Sequence, residues 1–152
     1  AIGNYFKVTD TDIKDAIEAY TPENNRSQII TRDSNKIILD AYNANPTSMK
    51  AALDNLSQLK DTKKVAILGD MFELGESAKK EHQTIAEYAL SLNIDGVYLV
   101  GSNFYNSQID SKQITYLETF KDLEKAFDLS KNKKSTILIK GSRGMALERL
   151  IN

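Results

Sequence analysis

Four short apolar runs, each closed by a glycine or a polar cluster, constrain this 152-residue chain more than any other feature. They are Lys36-Ile37-Ile38-Leu39-Asp40, Val65-Ala66-Ile67-Leu68 before Gly69, Val97-Tyr98-Leu99-Val100 before Gly101, and Thr136-Ile137-Leu138-Ile139-Lys140 before Gly141. A strand that is apolar at nearly every position must be covered on both faces. Helical patterns lie between the runs. Asn45 is placed to cap a helix with Pro46 at its first position and Met49, Ala52, Leu53, Leu56 and Leu59 as its stripe. A second helix is expected from about Glu76 to Leu92, with Ala78, Ile85, Ala89 and Leu92 on one face. Ile114 to Leu117 reads as a strand leading into a helix carrying Phe120, Leu123 and Phe127, and a last helix is expected from about Gly144 to Ile151.

This alternation predicts an α/β domain built on an open, mostly parallel sheet with helices on both faces. Gln28-Ile29-Ile30-Thr31, a turn at Asp33-Ser34-Asn35 and the run ending at Asp40 form a plausible hairpin, which would add an antiparallel edge. Upstream, Thr9 and Asp12 have capping-box spacing, and Ile13, Ala16, Ile17 and Tyr20 predict a short amphipathic helix ending before Pro22. Thr21 to Ser27 reads as a linker.

Composition excludes several functions. There is no cysteine, so disulfides and thiolate metal sites are ruled out, and the redox compartment cannot be read. The formal net charge of −1 argues against a nucleic-acid binder working through bulk charge. No apolar run approaches the ~20 residues that cross a bilayer, and Ala1 to Lys7 lack the apolar middle of a signal peptide, so a cytoplasmic location is the default. Neither G-x-x-x-x-G-K-[ST] nor G-x-G-x-x-G occurs. His82 is the only histidine and falls on the apolar side of its helix, as a core residue would; no serine has a triad context.

In parallel sheets, ligands bind beyond the carboxyl ends of the strands. The unusual polar residues concentrate there: Asp40, Tyr42, Asn43 and Asn45 after one strand, Gly69, Asp70 and Glu73 after another, Gly101, Ser102 and Asn103 after a third, and Lys140 to Arg143 after a fourth. Four such turns form one cleft only if all four strands point the same way. Lys140-Gly141-Ser142-Arg143 is suited to phosphate or carboxylate. Asp40 could receive a ribose, orient a metal-bound water or cap its turn, and Asp70 with Glu73 could hold a cation or amine, or complement a helix dipole. Asn45 serves equally as a plain helix cap. Arg26, in the linker, has no evident folding role.

The stretches Asp40-Ala-Tyr-Asn-Ala-Asn-Pro-Thr-Ser-Met49, Leu68-Gly-Asp-Met-Phe-Glu-Leu-Gly75 and Lys140-Gly-Ser-Arg143 together resemble the C-terminal domain of the Mur ligases of peptidoglycan synthesis. The likeness runs from about Asn25 to Asn152. It implies a Rossmann-like domain over residues 25–152, with residues 1–24 as the tail of a preceding central domain plus linker, and hence a C-terminal fragment. It also implies an ATP- and Mg²⁺-dependent amide ligase whose phosphate loop and metal carboxylates lie in the absent central domain. The branch it is most similar to joins D-alanyl-D-alanine to UDP-N-acetylmuramoyl-tripeptide through an acyl phosphate.

Carried over by position, the resemblance implies that Arg26, Asp40, Tyr42, Asn43 and Asn45 serve the nucleotide, with Asn43 near the terminal phosphate. Asp70, Glu73, Lys140, Ser142 and Arg143 would face the dipeptide or the acyl phosphate, and Asn43 and Lys140 are the catalytic candidates. No metal ligand is expected in this chain. Its partners would be the two substrates and the other domains of its own polypeptide. The alternatives are a related ligase adding another amino acid, and a non-catalytic α/β binding module.

Overall fold

The computed structural model describes residues 2–20, 25–60 and 63–151. The expected linker therefore lies partly outside the described residues, at positions 21–24.

Six strands form one sheet in the order β1-β2-β6-β3-β4-β5. β1 (Gln28–Arg32) pairs antiparallel with β2 (Asn35–Asp40) through a two-residue turn in which Asp33 and Ser34 both have positive φ. That is the backbone twist short hairpins require. β3 (Lys64–Gly69), β4 (Gly96–Val100), β5 (Ile114–Leu117) and β6 (Thr136–Lys140) all run parallel with β2. β6, last in sequence, is inserted between β2 and β3. This gives the expected mostly parallel sheet with an antiparallel edge.

The apolar runs are divided between two cores, as double coverage demands. Ala66, Leu68, Val97, Leu99 and Leu138 face α3 (Pro46–Gln58) and α4 (Ala78–Ser91), with Met49, Leu53, Leu56, Ile85, Ala86 and Ala89. Ile37, Leu39, Val65, Ile67, Ile137 and Ile139 face the opposite side, covered by Leu123 of α6 (Phe120–Ala126), Phe127, Leu147 and Ile151. Burying a side chain of this kind contributes about 1.5–3 kcal/mol, so the two layers dominate stability.

Helix starts follow their capping chemistry. Asn45 and Ser48 form a reciprocal capping box ahead of Pro46, and Thr119 and Asp122 form another ahead of α6. Two elements differ from expectation. A short helix, α5 (Ser102–Tyr105), follows β4 and is too brief to show a period in sequence. The expected helix from Gly144 to Ile151 is instead two 3₁₀ turns, Arg143–Met145 and Leu147–Ile151, separated by Ala146 in the left-handed conformation (φ 46°, ψ 46°). Continuous α-helix is incompatible with that residue.

At the amino end, α1 (Ile2–Tyr5) and α2 (Asp10–Ala19) contribute no buried residue. Thr9 caps α2 as expected, but Ile17 and Tyr20 of its stripe are exposed, as are Ile2, Tyr5 and Phe6. No helix among the described residues is long and apolar enough to cross a membrane.

Candidate functional site

Parallel register brings four strand ends to one edge of the sheet. Asp40 lies beside Lys140, Lys140 beside Leu68, and Gly69 beside Val100. The chain leaves β2 and β3 toward the α3/α4 face, whereas β6 leads to the 3₁₀ turns on the other, so the crevice opens around β6, where ligands of such sheets sit.

The rim divides into a closed part and an open part. In the closed part Asp70 is 2% exposed, and its carboxylate is used by the fold. Oδ2 accepts the Asn103 N–H (2.9 Å) and Oδ1 the Phe104 N–H (3.0 Å), holding the start of α5. Gly101, at φ 121°, allows this approach, because a Cβ there would run into the Asp70 carboxylate. Asp70 also donates its backbone N–H to Val100 and accepts that of Ser142 (3.1 Å). Ser142 in turn accepts the Phe72 N–H at its Oγ (2.9 Å). β3 and β6 approach so closely here that a Cβ on Gly141 would lie 3.1 Å from the Gly69 backbone. His82 is fully buried: Nε2 accepts the Met71 N–H (3.1 Å) and lies 3.6 Å from Asp70, so the ring hydrogen is assigned to Nδ1, bonded to Ala78 O (2.6 Å). It is the core histidine its position predicts.

Lys140 joins the two parts. Its side chain is 2% exposed, and Nζ donates to Asp40 Oδ2 (2.6 Å) and to the Asn43 carbonyl (3.0 Å). The ammonium therefore fixes the loop after β2 to the end of β6. Asp40 also accepts the Ser27 N–H through Oδ1 (3.3 Å).

The open part is built on that loop. Tyr42, Asn43 and Asn45 are exposed, and with Arg26, Asp40, Ser48 and Lys140 they line a shallow hollow of about 380 Å³. The Arg26 guanidinium stacks over the Tyr42 ring, 3.7 Å from its centroid. A neighbouring cavity of about 550 Å³ is lined by Asn25, Arg26, Tyr42 and Arg143. Asn45 is committed as a cap through Oδ1, and Asn43 Oδ1 accepts the Ala44 N–H. Glu73 is exposed with φ 66° and is not among the residues that line this cavity.

The sequence places Asp40, Tyr42, Asn43, Asn45, Asp70, Glu73, Ser102, Asn103 and Lys140 to Arg143 on one rim; the parallel strand ends bring these turns to one edge, and Arg26, expected in the linker, joins them over Tyr42. Sequence reasoning treated Asp70, Lys140 and Ser142 as ligand-facing, whereas their polar atoms are buried in hydrogen bonds within the chain. It missed Glu148, whose Oε1 accepts from Arg143 Nη1 (3.1 Å), because a pairing across two 3₁₀ turns has no sequence period. Among the described residues no cluster of three or more histidine, aspartate or glutamate side chains could hold a metal ion.

Residues 25–143, which carry this rim, match the family model "Mur ligase, glutamate ligase domain". The chain belongs to that family. Among curated Mur ligases, it is 36% identical over 132 residues to the UDP-N-acetylmuramoyl-tripeptide–D-alanyl-D-alanine ligase of Rickettsia prowazekii, covering 84% of this chain and 29% of that one. It is 33% identical to the Bacillus subtilis enzyme of the same name, covering 99% and 35%. Among solved Mur ligase structures, MurF from Acinetobacter baumannii superposes with a TM-score of 0.82 at 28% identity, covering 99% of this chain and 34% of that one. MurF from Thermotoga maritima in complex with ADP superposes at 0.77 and 27%, covering 99% and 34%. The chain spans about a third of the length of these relatives.

Proposed function

We propose that this chain is the C-terminal domain of an ATP-dependent ligase that adds D-alanyl-D-alanine to UDP-N-acetylmuramoyl-tripeptide in bacterial peptidoglycan synthesis, in the cytoplasm. The supporting observation is the open rim of Arg26, Asp40, Tyr42, Asn43 and Arg143, in a chain whose relatives carry that name and include one solved with ADP. In this reading residues 25–152 form the domain, and residues 1–24 are the tail of the preceding one and the linker. The exposed Ile2, Tyr5, Phe6, Ile17 and Tyr20 are the surface on which that domain would pack.

The reaction has two steps. ATP phosphorylates the tripeptide's terminal carboxylate to an acyl phosphate, releasing ADP, and the dipeptide amine then attacks the acyl carbon, expelling phosphate. Catalysis of this kind is positioning and charge dispersal. Asp40 and Tyr42 would meet the ribose side of the nucleotide, Arg26 its ribose or phosphates, and Asn43 its terminal phosphate, with Asn45 shaping the loop. Arg143, on the cavity it shares with Arg26, would face the acyl phosphate or the dipeptide, and Glu73 is the other exposed group assigned to the acceptor. Lys140, Asp70 and Ser142 would act by holding this geometry. Mg²⁺ would be held mainly by carboxylates of the central domain.

The test is an assay of the full-length polypeptide carrying this chain. ADP release that requires both UDP-N-acetylmuramoyl-tripeptide and D-alanyl-D-alanine is expected; release with single amino acids in place of the dipeptide would point to a different ligase. The isolated chain, lacking a phosphate loop, should not turn over and should bind ATP with a dissociation constant of ~1 mM or weaker. Micromolar affinity by calorimetry would contradict that.

A further inference from the structure

We propose that Glu148 positions Arg143, and that Arg143 so held grips, together with Arg26, one phosphate-class anion in the cavity they share. Three observations at the last turns carry this. The Glu148 side chain is 19% exposed and takes Arg143 Nη1 on Oε1, while its Oε2 is enclosed without a donor among the described residues. A buried carboxylate oxygen without a partner is unfavourable. Between the two residues stands Ala146 in the left-handed conformation, also unfavourable for a residue with a Cβ. This bend folds the chain back so that residue 148 meets residue 143. Two unfavourable features at one turn are better explained by the geometry they impose on Arg143 than by stability.

That geometry places a guanidinium on the cavity lined by Arg26, Tyr42 and Asn25. Each arginine is restrained by a neighbour: Arg26 lies on the Tyr42 ring, and Arg143 is tied to Glu148 by one of its five N–H groups. The rest of the Arg143 fork has no partner among the described residues. Two pre-oriented guanidiniums on one cavity suit a group with several oxyanion oxygens. The inference rests on the ligase reading only for the source of the phosphate, the nucleotide tail or the acyl phosphate.

The test follows the arginine Nε–Hε NMR signals of the 152-residue chain during titration with inorganic tripolyphosphate and, separately, acetyl phosphate. Arg26 and Arg143 should move along one isotherm, and the probe bound more tightly identifies the source. Glu148→Gln should weaken binding by roughly 3-fold or more. The exchanged pair Arg143→Glu with Glu148→Arg should recover thermal stability lost in either single variant without recovering binding, since the cation then stands at position 148. An Arg143 signal that stays still or follows a different midpoint, unchanged binding in Glu148→Gln, or an exchanged pair that binds normally would each overturn the proposal. Dipeptide ligation by the full-length polypeptide is read separately. Its absence, with phosphate binding intact, would remove the ligase reading and leave this one standing.

Discussion

The turns after β3 and β2 look alike in sequence, an apolar strand running into Asp and a few polar residues, yet they serve opposite ends. After β3, Asp70 spends its carboxylate on two backbone N–H groups of the β4–α5 turn and its backbone groups on β4 and Ser142. After β2, Asp40 is held by Lys140, and the next residues, Tyr42 and Asn43, are left in solvent beside Arg26. A polar residue at a strand end signals the rim, and only its partners say whether it builds the rim or works there.

Substitutions can sharpen this contrast. The largest effect is expected for Asp70→Ala, which leaves two enclosed N–H groups without acceptors and should lower unfolding free energy by about 3–5 kcal/mol in urea titrations. A loss below ~1 kcal/mol would mean that Asp70 is available for ligands after all. Lys140→Met should be next, at about 2–3 kcal/mol, less than for a wholly buried pair because Asp40 is 23% exposed. In the full-length polypeptide it should also raise the KM for ATP through the loosened loop. Dipeptide KM rising alone would return Lys140 to the acceptor site.

Arg26→Ala belongs to the open part. It should weaken nucleotide affinity of the full-length polypeptide about 10-fold, equivalent to 1.4 kcal/mol, while stability changes by less than about 0.5 kcal/mol. The reverse pattern would make Arg26 a structural residue. The smallest effect is expected for Ala146→Gly, where relief of left-handed strain should offset the entropy of glycine and give between no change and a gain of about 1 kcal/mol by thermal melting. A clear loss would show that Ala146 packs in a way its backbone does not reveal.

Much of the frame was legible in the residues because strand runs, caps and turns are local. The hairpin through Asp33-Ser34, the Asn45-Pro46 helix start, the common rim and the burial of His82 all follow from short-range chemistry. What was not legible depends on contacts distant in sequence. The Asp40–Lys140 pair spans 100 residues and exists because β6 inserts next to β2, an order that no local pattern encodes. The buried role of Asp70 needs Gly101 opposite it, and the break at Ala146 carries no glycine or proline to announce it.

The most direct measurement is a backbone amide NMR titration of this chain with ATP at several millimolar. Shifts confined to Arg26, the Asp40 to Asn45 loop and Arg143, with Asp70, Asn103 and Phe104 unmoved, are the predicted result. Shifts centred on Asp70, Asn103 and Phe104, with the loop after β2 silent, would contradict the division of the rim on which the functional reading stands.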